Sequence, residues 1–381
     1  MSAGYQPSEP ERPRAREVGV VLGTLPPGPL NAITDVPGVL VGQQTLIAGD
    51  GALVPGVGPI RTGVTVILPH GGNLFREKVP AACFVLNGYG KAIGLAQLDE
   101  LGVIETPLAL TGTLNVPLVA DGLIEHAIRT NPDIGINTST VNPVAAECHD
   151  GYLNDIQGRH VRQQHVLEAI ASAADGPVAE GTVGGGTGMT LFGFKGGIGT
   201  ASRVVDGGGA RYTVGALVLG NFGRREQLVI AGVPVGRELA TWQPPENLPE
   251  HGSIVVVVAT DAPLLSRGLG RIARRGAHGL ARVGSISGHG SGDFIFAFSN
   301  AIRVPHTPQG PTLTVPHVFE GGPLIDALFQ ATVEATEEAV VNALFRATTI
   351  DGRDGHVRYA LPLEPALRLL ATAGALSHPA P

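Results

Sequence analysis

Ser253 stands where a proline-rich stretch ends and a run of β-branched residues begins. Residues 248–260 read Leu-Pro-Glu-His-Gly-Ser-Ile-Val-Val-Val-Val-Ala-Thr. Such a run is typical of a buried strand, which would begin at the serine. If the bond between Gly252 and Ser253 is cut, Ser253 gains a free α-amine beside its hydroxyl, as in enzymes whose nucleophile is also a chain terminus. The segment therefore suggests a self-processing hydrolase.

A second serine precedes another apolar run. In Gly-His-Gly-Ser-Gly-Asp, residues 288–293, Ser291 and Asp293 lie two positions apart, directly before a predicted strand over residues 294–298. Alternate residues of an extended chain face the same side. A hydroxyl and a carboxylate on one face can hold and relay a proton beside a nucleophile. Taken alone, the segment favours a solvated turn.

Polar groups also follow two other apolar runs. Asn221 comes after a predicted strand that ends at Leu219, so its amide NH2 could donate to an oxyanion, although an asparagine between glycines, here in Gly-Asn-Phe-Gly, also forms ordinary turns. Residues 147–155 include Glu147, Asp150 and Tyr152. This cluster could bind an ammonium group and orient a carbonyl, or it could be a polar surface loop.

Apolar periodicity predicts an α/β protein that positions these groups. Helical patterns cover residues 91–101, 116–129, 161–173, 264–282 and 324–346. Strand-like runs cover residues 18–22, 64–68, 107–110, 214–219, 254–259 and 294–298. Several of these strands are apolar on both faces and therefore need helices to cover them. Residues 242–251 hold too many prolines for regular structure and are predicted to be a linker or exposed loop within one fold.

Composition narrows the possible partners. The chain has 381 residues, 43% of them apolar and 15% charged, with a formal net charge of −7 and no basic run. A nucleic-acid partner is therefore not expected, and a small, uncharged or cationic substrate fits better. Residues 1–16 lack the apolar segment of a secretion signal and are predicted to be a disordered tail. No stretch reaches the roughly 18 apolar residues of a membrane span, so we expect a cytoplasmic protein without a membrane partner.

No metal or cofactor motif is present. Cys83 and Cys148 are far apart, which favours buried thiols over a disulfide or a zinc site. The sequence lacks H-E-x-x-H, and its 12 histidines are scattered. The glycine cluster of residues 183–189 lacks the spacing of a phosphate loop, so it is predicted to be a turn or a site of close packing. We expect neither a catalytic metal nor a cofactor.

Taken in order, these motifs resemble the family of L-aminopeptidase/D-amidase-esterases, also called the DmpA or P1 family, which includes the β-peptidyl aminopeptidases. The resemblance spans roughly residues 31–362. It rests on the ordered segments 31–38, 150–155, 184–188, 220–223, 252–254 with 259–263, 288–293 and 348–355.

The resemblance implies an αββα sandwich of the DmpA/ArgJ-like type. It further implies one catalytic domain, residues 17–381, processed between residues 252 and 253 into an α subunit (1–252) and a β subunit (253–381). The resulting enzyme would be a homo-oligomer and would release N-terminal amino acids from small peptides, amides or esters.

The same resemblance implies a role for each candidate residue. Ser253 would be the nucleophile, Ser291 and Asp293 its supporting hydroxyl and carboxylate, Asn221 the oxyanion donor and Tyr152 a further donor. The substrate amine would bind Glu147 or Asp150, and we prefer Glu147.

Two groups of alternatives remain at this stage. Fold relatives with a threonine nucleophile include the glutamate N-acetyltransferases and the nylon-oligomer hydrolases, and the serine at position 253 argues against both. The chain could also be an uncut, non-catalytic protein that binds a small molecule.

Overall fold

The computed structural model describes residues 11–242 and 252–377. In chain order its strands are β1 (Leu40–Ala48), β2 (Ile60–Leu68), β3 (Glu77–Gly88), β4 (Ala92–Ile93), β5 (Val103–Ile104), β6 (Leu108–Gly112), β7 (Val144–Cys148), β8 (Thr190–Leu191), β9 (Phe194–Lys195), β10 (Gly197–Asp206), β11 (Arg211–Asn221), β12 (Ser253–Thr260), β13 (Gly292–Ser299), β14 (Val304–Pro305), β15 (Ile350–Asp351) and β16 (Val357–Arg358). Its α-helices are α1 (Leu95–Glu100), α2 (Val116–Thr130), α3 (Gln163–Ala171), α4 (Val235–Glu238), α5 (Ser266–Arg282), α6 (Pro323–Arg346) and α7 (Leu363–Thr372).

Two mixed sheets form the centre of the fold. The first has the strand order β1-β2-β6-β7-β4, and the second has the order β10-β11-β12-β13-β3-β14, with β5 paired to β3. In each sheet one central pair is parallel, β6 with β7 and β12 with β13, and the other neighbours are antiparallel. One end of the molecule holds the last residues of β6, β7 and β11 and the first residues of β12 and β13. The strand pairings and the contacts between nearby residues show this arrangement.

The apolar residues form three layers that match an αββα sandwich. One layer lies between the sheets and includes Leu110 and Val257. A second joins the outer face of the first sheet to α2 and α3, and a third joins the outer face of the second sheet to α5 and α6. Strand β12 has apolar residues on both faces because both are covered, as the run of β-branched residues predicts. The predicted sandwich is therefore confirmed.

The chain near the amino terminus packs against α6. The guanidinium of Arg12 donates to the carbonyl oxygens of Phe345 and Leu361, and Ala15 is fully buried. Residues 11–16 of the predicted tail are therefore ordered, while residues 1–10 lie outside the described part. The strand predicted over residues 18–22 does not form, because Gly19 has a φ of 81° and turns the chain.

Within residues 11–242 and 252–377, no helix combines the length and the apolar character needed to cross a lipid bilayer.

Candidate active site

Ser253 is the first residue of β12, and only 5% of its surface is exposed. It pairs with Asn221 of β11 on one side and with Gly292 of β13 on the other. Side chains alternate along a strand, so Ser253 faces the same side as Val255, which lies between the two sheets. Its hydroxyl is therefore at one end of the inter-sheet layer.

The amide N–H of Gly292 lies against the peptide bond predicted to be cut. It donates to the carbonyl oxygen of Gly252 over 3.2 Å, and its nitrogen is 3.4 Å from Oγ of Ser253. A donor on a carbonyl oxygen makes the carbonyl carbon more susceptible to attack. The arrangement can therefore support attack by the Ser253 hydroxyl on the residue before it.

Gly292, the first residue of β13, lies against Gly90 in the connection between β3 and β4. A Cβ atom on Gly292 would lie 2.3 Å from Cα of Gly90, and one on Gly90 would lie 2.9 Å from Cα of Gly292 and 3.2 Å from Oε1 of Glu147. The backbones can approach this closely only because both residues lack a side chain. The backbone of Gly90 is therefore close both to Gly292 of β13 and to the Glu147 carboxylate.

Glu147 presents a buried carboxylate at the end of β7. Only 1% of its surface is exposed, Oε1 accepts from the amide of Lys91 over 2.9 Å, and Oε2 accepts from the hydroxyl of Thr113. Burial raises the pKa of Glu147, and these two hydrogen bonds oppose that shift. A carboxylate can accept about four hydrogen bonds. Glu147 therefore retains acceptor capacity for a substrate ammonium group.

Asn221 is oriented by its hydrogen bond to the main chain. Its Oδ1 accepts from the amide N–H of Thr190 over 2.7 Å. A backbone N–H can donate only to the oxygen of a side-chain amide, so this bond fixes which end of the amide is NH2. Asn221 is 5% exposed and pairs with Ser253, which leaves the NH2 group available as a donor near that serine.

Ser291 donates its hydroxyl to Oδ1 of Asp293, which confirms that these two side chains share a face. By strand alternation that face is the one occupied by Ile254, opposite to the side chain of Ser253. Burial raises the pKa of Asp293, and hydrogen bonds from Ser291 and from the amide of Ile254 oppose the shift. The pair therefore adjoins the main chain beside Ser253, and its relay role stays a prediction.

Tyr152 lies in the loop after β7, with two side chains against its ring. The ring of His356 stacks on it with centroids 4.3 Å apart and an interplanar angle of 7°, and Cζ of Arg358 is 3.5 Å from its centroid. Nε of Arg358 also donates to the hydroxyl of Thr190 over 3.1 Å. Because Thr190 holds Asn221, these contacts connect Tyr152 to Asn221.

Asp150 occupies a closed position. It is fully buried, Oδ2 accepts from the hydroxyl of Thr62 over 2.6 Å, and a Cβ on Gly112 or Gly188 would lie within 2.7 Å of its side chain. Burial raises the pKa of Asp150 to about 6. Both carboxylates are thus buried, and the preference for Glu147 as the group that binds a substrate amine stays a prediction.

The raised pKa of Asp150 predicts a pH-dependent stability. Between the unfolded pKa near 3.9 and the folded pKa of about 6, the folded chain retains a proton that the unfolded chain has lost, so wild-type stability falls as the pH rises. The amide side chain of Asp150→Asn does not titrate, so the variant lacks this dependence of stability on pH. In the Ser253→Ala background, which lacks the candidate nucleophile, we expect the free energy of unfolding of Asp150→Asn, relative to Asp150, to rise by about 2 kcal/mol from pH ~4 to pH ~7.5.

Urea unfolding at both pH values measures this difference. Asp99 is exposed, so Asp99→Asn serves as the control and should show no such change. An Asp150→Asn difference that does not vary with pH would show that the Asp150 pKa is not raised by folding.

The sequence pattern of peptidase family S58 matches residues 31–358. The chain belongs to peptidase family S58. Among curated S58-like relatives, beta-peptidyl aminopeptidase BapA of Sphingosinicella microcystinivorans is 44% identical over 365 residues, which are 92% of this chain and 90% of that protein. The predicted relationship to the DmpA family is confirmed.

The fold of this chain is also similar to solved structures. The PH0078 protein of Pyrococcus horikoshii OT3 is 53% identical, with a TM-score of 0.90 over 95% of this chain and 99% of that chain. The L-aminopeptidase D-Ala-esterase/amidase of Ochrobactrum anthropi is 40% identical, with a TM-score of 0.89 over 96% and 100% of the two chains, and it is described as a variant of the Ntn hydrolase fold.

The candidate site also contains groups that the sequence motifs missed. Thr113, Thr190, Arg358 and the Gly90 backbone support Glu147, Asn221 and Tyr152, but they lie outside the polar clusters that mark the candidates. The glycine cluster does pack closely, as predicted: Gly184, Gly185 and Gly186 are buried against backbone and polar side chains. The buried Nζ of Lys195 donates to the carbonyl oxygen of Gly186, which ties this cluster to the hairpin that carries Thr190.

Proposed function

We propose that this S58 peptidase is a self-processing serine aminopeptidase. It would cut its own bond between Gly252 and Ser253 and then release N-terminal residues from small peptides, amides or esters. The observation that carries the proposal is the contact of the Gly292 N–H with both the Gly252 carbonyl oxygen and Oγ of Ser253. An activated carbonyl and a hydroxyl thus adjoin at a buried strand terminus.

Self-cleavage would proceed by transfer of an acyl group. Oγ of Ser253 attacks the carbonyl carbon of Gly252, and the C–N bond breaks as the nitrogen gains the proton that the hydroxyl loses. The product is an ester between Gly252 and Ser253. The same step frees the α-amine of Ser253, and water then hydrolyses the ester to a Gly252 carboxylate and a free Ser253 hydroxyl.

The new α-amine supplies a base for substrate turnover. Its unperturbed pKa of about 7.7 to 8.0 is close to neutrality, so it can accept the proton of its own hydroxyl. The Ser291–Asp293 pair adjoins the main chain at the same place and would orient this amine. Asn221 and Tyr152 would donate to the tetrahedral oxyanion, and water would release the acyl group from Ser253.

Cleavage would divide the chain without dividing the fold. Strand β12, at the start of the proposed β subunit (253–381), pairs with β11 of the proposed α subunit (1–252) and with β13 of its own subunit. Residues 17–381 would thus remain one catalytic domain. Assembly of the cleaved pair into a homo-oligomer remains a prediction from the family resemblance, and a cytoplasmic location remains a prediction from the sequence.

A panel of substrates tests the proposed activity. Purified protein is given p-nitroanilides and amides of L-Ala, Gly, D-Ala and β-homo-amino acids, together with N-acetylated forms of each. β-Amino acids are included because of the name of the Sphingosinicella relative. We expect release of free amino acids from the unblocked compounds alone. No hydrolysis, or equal hydrolysis of the acetylated compounds, would contradict the proposal, and acetyl transfer from acetylornithine to glutamate would favour the acetyltransferase alternative.

Glu147→Gln tests how the substrate amine is bound. The charge pair is lost while the hydrogen-bonding shape is kept, so KM for an amine-bearing p-nitroanilide should rise about 10- to 100-fold. The carboxylate must be ionised to bind an ammonium, and burial raises its pKa. Wild-type kcat/KM should therefore fall on acidification through that raised pKa, and Glu147→Gln should lack this dependence.

The exposed Glu168 provides a matched control. Glu168→Gln should keep both KM and the acidic limb of the wild-type pH profile. A Glu147→Gln variant with unchanged KM would assign the substrate amine to another group.

A further inference from the structure

Arg358 is a buried cation that contacts the surroundings of both proposed oxyanion donors. It ends β16, which forms a two-stranded hairpin with β15, and 3% of its surface is exposed. Burying a guanidinium is costly unless it is bound on several sides. The contacts of the Arg358 guanidinium therefore show which neighbouring groups compensate for its burial.

The first contact is with the ring of Tyr152. Cζ of Arg358 lies 3.5 Å from the ring centroid, and the ring of His356 is stacked on Tyr152 at 4.3 Å. A cation over an aromatic face is attracted by the negative charge of the π system. It also withdraws electron density from the ring, so the phenol O–H becomes a stronger hydrogen-bond donor.

The second contact leads to Asn221. Nε of Arg358 donates to Oγ1 of Thr190 over 3.1 Å, and the amide N–H of Thr190 donates to Oδ1 of Asn221 over 2.7 Å. Arg358 thus fixes the residue whose main chain determines the orientation of the Asn221 amide. The planar guanidinium can stack on a ring and donate in its own plane at once, which a lysine ammonium cannot do.

We propose that Arg358 is a positioning residue that aligns Tyr152 and Asn221 with each other and strengthens the hydrogen bond that Tyr152 donates to the oxyanion. The inference rests on the proposed function, in which both side chains stabilise the tetrahedral intermediate. Because the oxyanion forms only in the reaction, the loss should fall on kcat rather than on KM.

A double-mutant cycle with Tyr152→Phe tests this role. Arg358→Met keeps an apolar stem, and Tyr152→Phe keeps the ring but removes the hydroxyl. The readouts are kcat and KM per cleaved chain on the p-nitroanilide that wild type cleaves fastest. Arg358→Met should lower kcat about 10- to 100-fold with KM within about 3-fold. In the Tyr152→Phe background, the same change should cost less than about 5-fold, because the donor it assists is gone.

Arg353 provides the matched control. Its Nε donates to the carbonyl oxygen of Gly151, so it also joins the β15–β16 connection to the loop of Tyr152. Arg353→Met should keep kcat within about 3-fold if the effect of Arg358 is specific to the ring and Thr190. Three results would overturn the proposal. They are a loss of kcat in Arg353→Met as large as in Arg358→Met, a kcat loss from Arg358→Met that is the same with and without Tyr152→Phe, and an unchanged kcat in Arg358→Met.

Arg358→Lys keeps the test decisive if Arg358→Met does not fold or cut itself. Lysine keeps the charge but loses the planar stack, so kcat should fall at least about 5-fold, and by less in the Tyr152→Phe background. Retention of wild-type kcat in Arg358→Lys would contradict the proposed alignment. If the proposed function is wrong, wild-type protein releases no amino acid. If only the role of Arg358 is wrong, wild type is active and the Arg358 variants keep its kcat.

Discussion

Ser253→Ala is expected to remain a single uncut chain and to lose hydrolysis of every substrate in the panel. Without the hydroxyl, no nucleophile attacks the Gly252 carbonyl carbon or the carbonyl carbon of a substrate. Loss of a catalytic serine typically costs kcat about 10⁴-fold or more. A denaturing gel after long incubation and a p-nitroaniline assay measure the two effects on one sample.

Ser139 provides the control for this variant because it is an exposed serine far from β12 in the chain. Ser139→Ala should be cut and should hydrolyse substrate as wild type does. The thermal midpoint of Ser253→Ala should stay at or above that of the cut protein, because its chain is continuous. A Ser253→Ala protein that still cuts itself or retains activity would exclude this serine as the nucleophile.

Asn221→Ala is expected to lower kcat about 100- to 1,000-fold with a much smaller change in KM, the usual cost of removing one oxyanion donor. The Asn221 amide is already oriented by the N–H of Thr190, so little reorganisation is needed when the oxyanion forms. Self-cleavage should slow as well, because the same tetrahedral charge develops on the Gly252 carbonyl oxygen. Steady-state kinetics per cleaved chain and the half-time of cleavage measure both effects.

Asn221→Asp separates this electronic role from packing. The side chain keeps its size and can still accept from Thr190, but it replaces the NH2 donor with a negatively charged oxygen. Its kcat should fall at least as far as that of Asn221→Ala, whereas Asn137→Ala, at an exposed asparagine, should match wild type. Near-normal kcat in Asn221→Asp would show that the oxyanion is stabilised elsewhere.

The elements predicted best are those whose sequence is apolar on both faces. The run over residues 254–259 becomes β12 because the second sheet is covered by the first sheet on one face and by helices on the other. Strand β1 escaped prediction because it mixes buried residues with polar, partly exposed ones, and β3 escaped because its apolar run contains a proline and two alanines, which are poor strand formers. The run at residues 18–22 is apolar enough for a strand, but the turn at Gly19 sets it against α6 instead.

The candidate site likewise contains residues that the sequence marks and residues that it does not. Four candidates were recognisable because each adjoins an apolar run and because the order of the motifs resembles a family. They are Ser253, Ser291 and Asp293 at the start of a run and Asn221 after the end of one. Thr190 and Arg358 carried no such signal, since they are 168 residues apart in the chain and meet only in the fold. The choice between Glu147 and Asp150 likewise depends on packing by Gly90, Gly112 and Gly188, which a sequence pattern does not reveal.

The central claim is that Ser253 becomes both nucleophile and amino terminus, and N-terminal sequencing tests it most directly. Active wild-type protein is separated on a denaturing gel, and the smaller band is sequenced. The account predicts two bands, at roughly two thirds and one third of the 39.1 kDa chain, with the smaller beginning Ser-Ile-Val-Val. An active protein that remains a single chain, or a smaller fragment that begins at another residue, would contradict it.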